Sequence, residues 1–104
     1  YVQGITIYVS ENSTDLLRCP YTGSTIQWRG PPAMIIYTLG LAVNPALPHR
    51  DRISVVGQTE QGEYNLQISN IQQSDRGEYQ CSGIVNGNAV TWQIELHIAG
   101  KVYS

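Results

Sequence analysis

The chain has 104 residues, six Lys and Arg against eight Asp and Glu, a net charge of −2 and a pI ≈ 5.5. That length suits one domain, and the scattered basic residues exclude a surface built for nucleic acid or an anionic membrane, which needs clustered Lys and Arg. The longest apolar run, Ala33 to Tyr37, is far too short to span a bilayer.

Val2 to Val9 alternates apolar and polar residues as a first strand. Glu11 to Asp15 is a polar turn that holds the sequon Asn12-Ser13-Thr14, an acceptor for an N-linked glycan in a secreted chain. Leu17, Cys19 and Tyr21 mark a second strand. After a turn at Thr22-Gly23-Ser24, Ile26 and Trp28 share the inward side of a third. Gly30-Pro31-Pro32 breaks that strand, because proline cannot donate to a ladder, and Met34 to Tyr37 resumes as a fourth. Leu39 to Leu47, with Asn44-Pro45 and Pro48 as breakers, reads either as a ragged edge strand or as a loop. Arg52 to Val56 is the next strand, and Gly57 to Gly62 turns the chain into a strand over Glu63 to Ser69. Glu78 to Ile84 follows, Asn86-Gly87 is the strongest hairpin dipeptide, and Thr91 to Ile98 alternates cleanly as the last strand. Gly100 to Ser104 reads as the start of a linker, which leaves 1–99 as the domain. The chain opens on Tyr1 without a leader and reads as a mature or excised domain, with any anchor or neighbouring domain outside it.

One stretch is more specific than the strand pattern. Leu66 and Ile68 alternate on one face, Ile71 anchors a corner, and Ser74, Asp75 and Gly77 supply turn chemistry. Tyr79 then stands two residues before Cys81. The order Leu-x-Ile-x-x-Ile-x-x-x-Asp-x-Gly-x-Tyr-x-Cys resembles the E–F tyrosine corner of variable-type and intermediate-type immunoglobulin domains. The resemblance implies an all-β fold: an immunoglobulin-like Greek-key β-sandwich, V-type or I-type, with one inter-sheet disulfide between Cys19 and Cys81. It places Trp28, Leu66, Ile68 and Tyr79 in the structural core. Trp28 follows Cys19 by nine residues, which matches the tryptophan that packs on that bridge. Arg52 and Asp75 match the ion pair that closes the bottom of variable-type domains, a structural role.

Two cysteines are too few for a zinc site, and they are too far apart for a Cys-x-x-Cys redox motif. A bridge between them would stabilise the fold by about 4 kcal/mol in the chain-entropy model. Two free thiols in a reducing compartment are the alternative. The sequon weighs toward an oxidised, extracellular chain, at the cell surface or secreted.

Nothing in the sequence supports catalysis. His49 and His97 are the only histidines and have no convergent third ligand. Nucleophile elbows, phosphate loops and His-Glu-x-x-His motifs are missing from the chain. The expectation is a non-enzyme without metal or cofactor. Recognition then falls to a surface. The connections at Thr22-Gly23-Ser24 and Asn86-Gly87 are short, and short loops cannot enclose a small ligand, whereas a flat sheet can meet another. If Trp28, Cys81 and Leu96 point inward, Gln27, Arg29, Gln80, Ser82, Ile84, Thr91, Gln93 and Glu95 point outward, joined by Met34 or Tyr37. Trp92 has inward parity and reads as core filling.

Ile26-Gln27-Trp28 and the run from Arg52 through Gly62-Glu-Tyr-Asn-Leu-Gln-Ile68 look like the first domain of nephrin and irregular-chiasm adhesion receptors. The compact spacing after Trp28 is similar to the first domain of the IgLON proteins. The resemblance implies pairing of like domains through the face of the G, F, C and C′ strands, with Gln27 in the contact. The chain departs from that pattern in the segment after Cys81 and in the Gly-Pro-Pro after Arg29, and it lacks the Phe-Gly-x-Gly of joining-segment strands. The implied function is the recognition domain of a cell-surface adhesion receptor, binding another immunoglobulin-like domain, homophilically or heterophilically. An innate-immune module for microbial ligands and a structural spacer are the alternatives. A glycan on Asn12 would leave the G-F-C-C′ face open.

Overall fold

Nine strands form two sheets among the described residues: β1 (Gln3–Ser10), β2 (Asp15–Leu17), β3 (Gln27–Gly30), β4 (Ile35–Leu39), β5 (Ala42–Val43), β6 (Ile53–Val56), β7 (Asn65–Ile68), β8 (Gly77–Val85) and β9 (Asn88–Ala99). The computed structural model describes residues 3–23 and 25–99. The linker expected from Gly100 and Ser24 of the expected turn lie outside them. One sheet has the order β1-β9-β8-β3-β4-β5 and the other β2-β7-β6. Every pairing is antiparallel except that of β1, which runs parallel to β9 without interruption from Gln3↔Trp92 to Ser10↔Ala99.

The two sheets close over a core of Leu17, Ile26, Trp28, Leu66, Ile68, Ile71, Tyr79, Ile94 and Leu96, all essentially inaccessible to solvent. Each such aliphatic side chain contributes about 1.5–3 kcal/mol by leaving water. Cys19 and Cys81 form a disulfide across the layers, with Cα atoms 5.9 Å apart. The Trp28 indole N–H, which would be costly to bury unpaired, donates to the Tyr64 carbonyl at 3.1 Å.

Several strand limits differ from the alternation pattern for identifiable reasons. The second strand stops at Leu17, short of Cys19 and Tyr21. The Cys19 N–H donates to the buried Asn65 side chain at 3.0 Å, and Pro20 has no N–H to offer a ladder. A short 3-10 turn over Arg50–Arg52 delays β6 to Ile53. The irregular stretch after Leu39 carries the two-residue strand β5 and is pinned by Leu47, which is fully buried. Gly30 ends β3 where the chain has no room for a side chain: a Cβ there would stand 2.8 Å from the Tyr79 ring and 3.1 Å from Tyr37.

At the corner before β8, Tyr79 donates its hydroxyl to the Asp75 main-chain carbonyl at 2.6 Å. The Asp75 carboxylate also accepts from the Gln72 N–H at 2.8 Å, capping the short 3-10 turn Gln73–Asp75. The β8–β9 connection is the two-residue reversal that Asn86-Gly87 predicts. Val85 pairs with Asn88, and both turn residues have positive φ, 51° and 78°, as a type I′ turn demands.

Candidate functional site

The outward side of the six-stranded sheet is assembled from rows of residues set by strand register. Because side chains alternate along each strand, lateral neighbours on one face are the register partners. Leu39, Gln27, Ser82 and Thr91 form one row across β4, β3, β8 and β9. Ile36, Arg29, Gln80, Gln93 and Gly4 form the next, extending onto β1. Glu78, Glu95 and Thr6 follow, and then His97 and Tyr8. At the hairpin end Ile84 faces Ala89.

The two halves of this face differ in chemistry. The β4 side is apolar, with Leu39 59% and Ile36 41% exposed, and a third exposed apolar residue, Ile84 at 55%, stands on β8 at the hairpin end. The β8–β9–β1 side is polar and internally bonded. The Glu78 carboxylate accepts from Gln93 at 2.6 Å and from Gln80 at 3.1 Å. Glu95 and His97 meet at 2.7 Å, and Tyr8, at 76% the most exposed large hydrophobic side chain among the described residues, stacks on the His97 ring. Gln27 lies between these halves, half-buried, and its amide makes no hydrogen bond to another described residue. Arg29 is exposed and has no ion-pair partner among the described residues. A depression of about 270 Å³ opens beside Gln27, lined by Thr25, Ser82, Ile84, Ala89 and Thr91.

Tyr37 requires a correction. The expectation that Met34 or Tyr37 joins Gln27 and Arg29 on the outward face fails for Tyr37, which is 1% exposed. The register between β3 and β4 shifts: Arg29 pairs with Ile36 but Trp28 with Thr38, so Tyr37 is an extra residue turned into the core. Its hydroxyl donates to the Pro31 carbonyl and accepts from His49 Nε2 at 3.2 Å, and its ring meets Tyr79 edge-on. Burial pushes the Tyr37 phenol up to about 12 and the Tyr79 phenol well above its ordinary value. Burial also lowers His49 below the usual imidazole range. Met34, the other candidate, is half-buried in the reversal between β3 and β4 at φ 56°.

Ile36, Leu39 and Tyr8 were not among the residues expected on this face. Leu39 lies directly opposite Gln27 and could have been found by continuing the fourth strand two residues past Tyr37. Ile36 follows from Met34 by the same alternation, but the two readings exclude each other in an unbroken strand, and only the register shift at Tyr37 lets Ile36 and Leu39 both face outward. Trp92 is partly buried against the core beside Ile5, Pro20 and Asn65, where a cleft of about 370 Å³ opens between the sheets. Among the described residues no group of His, Cys, Asp and Glu converges as a metal site would.

Arg52 and Asp75 meet at the opposite end from the hairpin. Two bonds of 2.7 and 2.9 Å join guanidinium to carboxylate, and Arg52 also donates to the Ser69 and Asn70 carbonyls. The hydrogen bond to Asp75 raises the Arg52 pKa further.

A two-layer sandwich with this corner, bridge and tryptophan agrees with one further finding: residues 5–98 match the family model of the immunoglobulin V-set domain. The chain belongs to the immunoglobulin V-set family. V-set domains are in general non-catalytic modules that mediate protein–protein interactions, and a V-set domain with a disulfide fits an extracellular or secreted protein. In the family's lettering the rows above lie on strand β4 as C′, β3 as C, β8 as F and β9 as G, with β1 as A′. The match is to the V-set as a whole and does not single out the adhesion receptors. No curated protein is significantly similar to the chain.

Proposed function

We propose that this V-set domain is the recognition domain of a cell-surface adhesion receptor and binds another immunoglobulin-like domain through the outward face of β9, β8, β3 and β4. The observation that carries the reading is Gln27. Its amide makes no hydrogen bond to another described residue, and it is flanked by the exposed Leu39 across the ladder and by the exposed Ile84 along the depression beside it. Apolar anchors around a polar centre are what a moderate-affinity protein contact uses. The resemblance of Ile26-Gln27-Trp28 to nephrin-like first domains points to the same residue.

Charge placement supports a partner of the same kind. Arg29 stands on the β3 side of the face and Glu78 and Glu95 on the β8–β9 side. An isologous contact about a two-fold axis along β8 sets the cation of each copy toward the acidic half of the other. The remaining candidates, Met34, Gln80, Ser82 and Gln93, fill the rim or the centre of that contact. Sedimentation of the purified domain over a range of concentrations tests the reading. Reversible dimerisation, or pairing with a related domain, that Gln27→Arg weakens without changing thermal stability is the expected result. Unchanged association in that variant counts against it.

A further inference from the structure

We propose that Asn12 carries an N-linked glycan and that this glycan shields the two free sheet edges that meet at its turn. The proposal rests on the extracellular reading of the domain and is independent of which face binds a partner.

The first observation is an unguarded edge. β1 is the terminal strand of the larger sheet and β2 that of the smaller, so among the described residues each has one side without a neighbour. β1 keeps an uninterrupted register over all eight residues, Gln-Gly-Ile-Thr-Ile-Tyr-Val-Ser. It has no charged residue, no proline and no bulge, the devices that keep an edge from pairing with another chain. Its composition is instead β-branched and aromatic, with Ile5 48% and Tyr8 76% exposed, which describes a segment prone to strand addition.

The second observation is the placement of the sequon. Glu11 to Thr14 is the connection between these two edge strands. The turn is tied to the fold at two points: the Asn12 N–H donates to the Ile71 carbonyl at 2.7 Å, and the Ile71 N–H donates to the Ser13 carbonyl at 2.9 Å. Asn12 has φ 69°, a left-handed conformation that Asn tolerates better than most residues. Asn12 and Thr14 are both exposed, and neither side chain is hydrogen-bonded to another described residue. A sugar linked there displaces nothing in the fold.

The donor for such a linkage is a polyprenyl-diphosphate oligosaccharide. The sugar C1–O bond to the diphosphate breaks and its electron pair leaves with the diphosphate. A C1–Nδ2 bond to Asn12 forms, and Nδ2 gives up one proton. The product hangs a bulky, hydrated group two residues past the end of β1 and three before β2.

The test is secretion of the chain from mammalian cells, with the intact mass measured before and after peptide-N-glycosidase treatment. A mass increase removed by the enzyme, lost in Thr14→Ala and retained in Thr14→Ser, is expected. Thr14→Ala removes the sequon while leaving the left-handed residue in place. Secreted, folded chain of unmodified mass overturns the proposal. Shielding is then read in a Gln27→Arg background, so that pairing through the face does not contribute. Thr14→Ala in that background should shift sedimentation toward larger species, and the glycosylated chain should not. Identical sedimentation of the two forms overturns the shielding, whatever the outcome for the face.

Discussion

The Arg52 guanidinium holds the Asp75 carboxylate through two parallel bonds, while the main-chain carbonyl of the same aspartate accepts the Tyr79 hydroxyl. One residue thus ties the 3-10 turn before β6, the corner and β8 together. The Asp75 side chain is buried and that of Arg52 nearly so. Removing one partner leaves a charge desolvated and unpaired. Asp75→Asn should therefore cost about 2–4 kcal/mol, below the limit for a fully buried pair because Arg52 keeps some solvent. Urea denaturation measures it.

Gly30 is constrained by packing. Its missing Cβ is the space that the Tyr79 ring occupies. Gly30→Ala should destabilise by about 1–3 kcal/mol as overpacking does, and it should shift the aromatic circular dichroism of the Tyr37–Tyr79 pair. A Gly40→Ala control meets no neighbouring atom but has positive φ, so it reports backbone cost alone.

Stability should fall at both ends of the pH scale, for opposite reasons. His49 ionises near 6.5 in the unfolded chain and lower in the fold, because burial disfavours its charged form. Between those values the unfolded chain binds more protons, so the contribution is whole above pH 6.5 and is lost as pH falls below it. Tyr37 moves the other way, from 10.0 to about 12. Its contribution is whole below pH 10 and is lost as pH rises toward 12. Thermal melts across this range should show both losses. His49→Gln should flatten the acidic side and Tyr37→Phe part of the alkaline side.

Reduction of Cys19–Cys81 should lower stability by about 4 kcal/mol, from the length of chain the bridge closes. Denaturation with and without reductant, compared with a Cys19→Ala, Cys81→Ala chain, measures it. Equal stability of the reduced and oxidised forms would contradict this.

Much of the frame is legible in the sequence because it depends on local rules. Asn86-Gly87 dictates its own turn, and the parity of Trp28, Cys81 and Leu96 orders the inner and outer sides of β3, β8 and β9. What escapes is set by distant contacts. Tyr37 turns inward because the β3–β4 register slips by one residue, and no pattern within β4 reports that. Cys19 leaves the ladder because Asn65, far along the chain, takes its N–H. Leu47 looks like one more loop residue until the loop folds over the core. The candidate face is therefore readable strand by strand at its centre, Ile84 included, and ambiguous on β4, where Ile36 and Leu39 both face outward only because the register slips.

If the domain recognises its partner with the outward face of β9, β8, β3 and β4, contact with that partner must perturb those strands. The most direct measurement is a concentration series of amide NMR spectra of the isolated domain, alone and with a related domain. Shifts should concentrate at Gln27, Arg29, Leu39, Ser82, Ile84 and Gln93 and fade in Gln27→Arg. Shifts confined to β2, β6 and β7, or to the turn at Asn86-Gly87, would contradict recognition by that face.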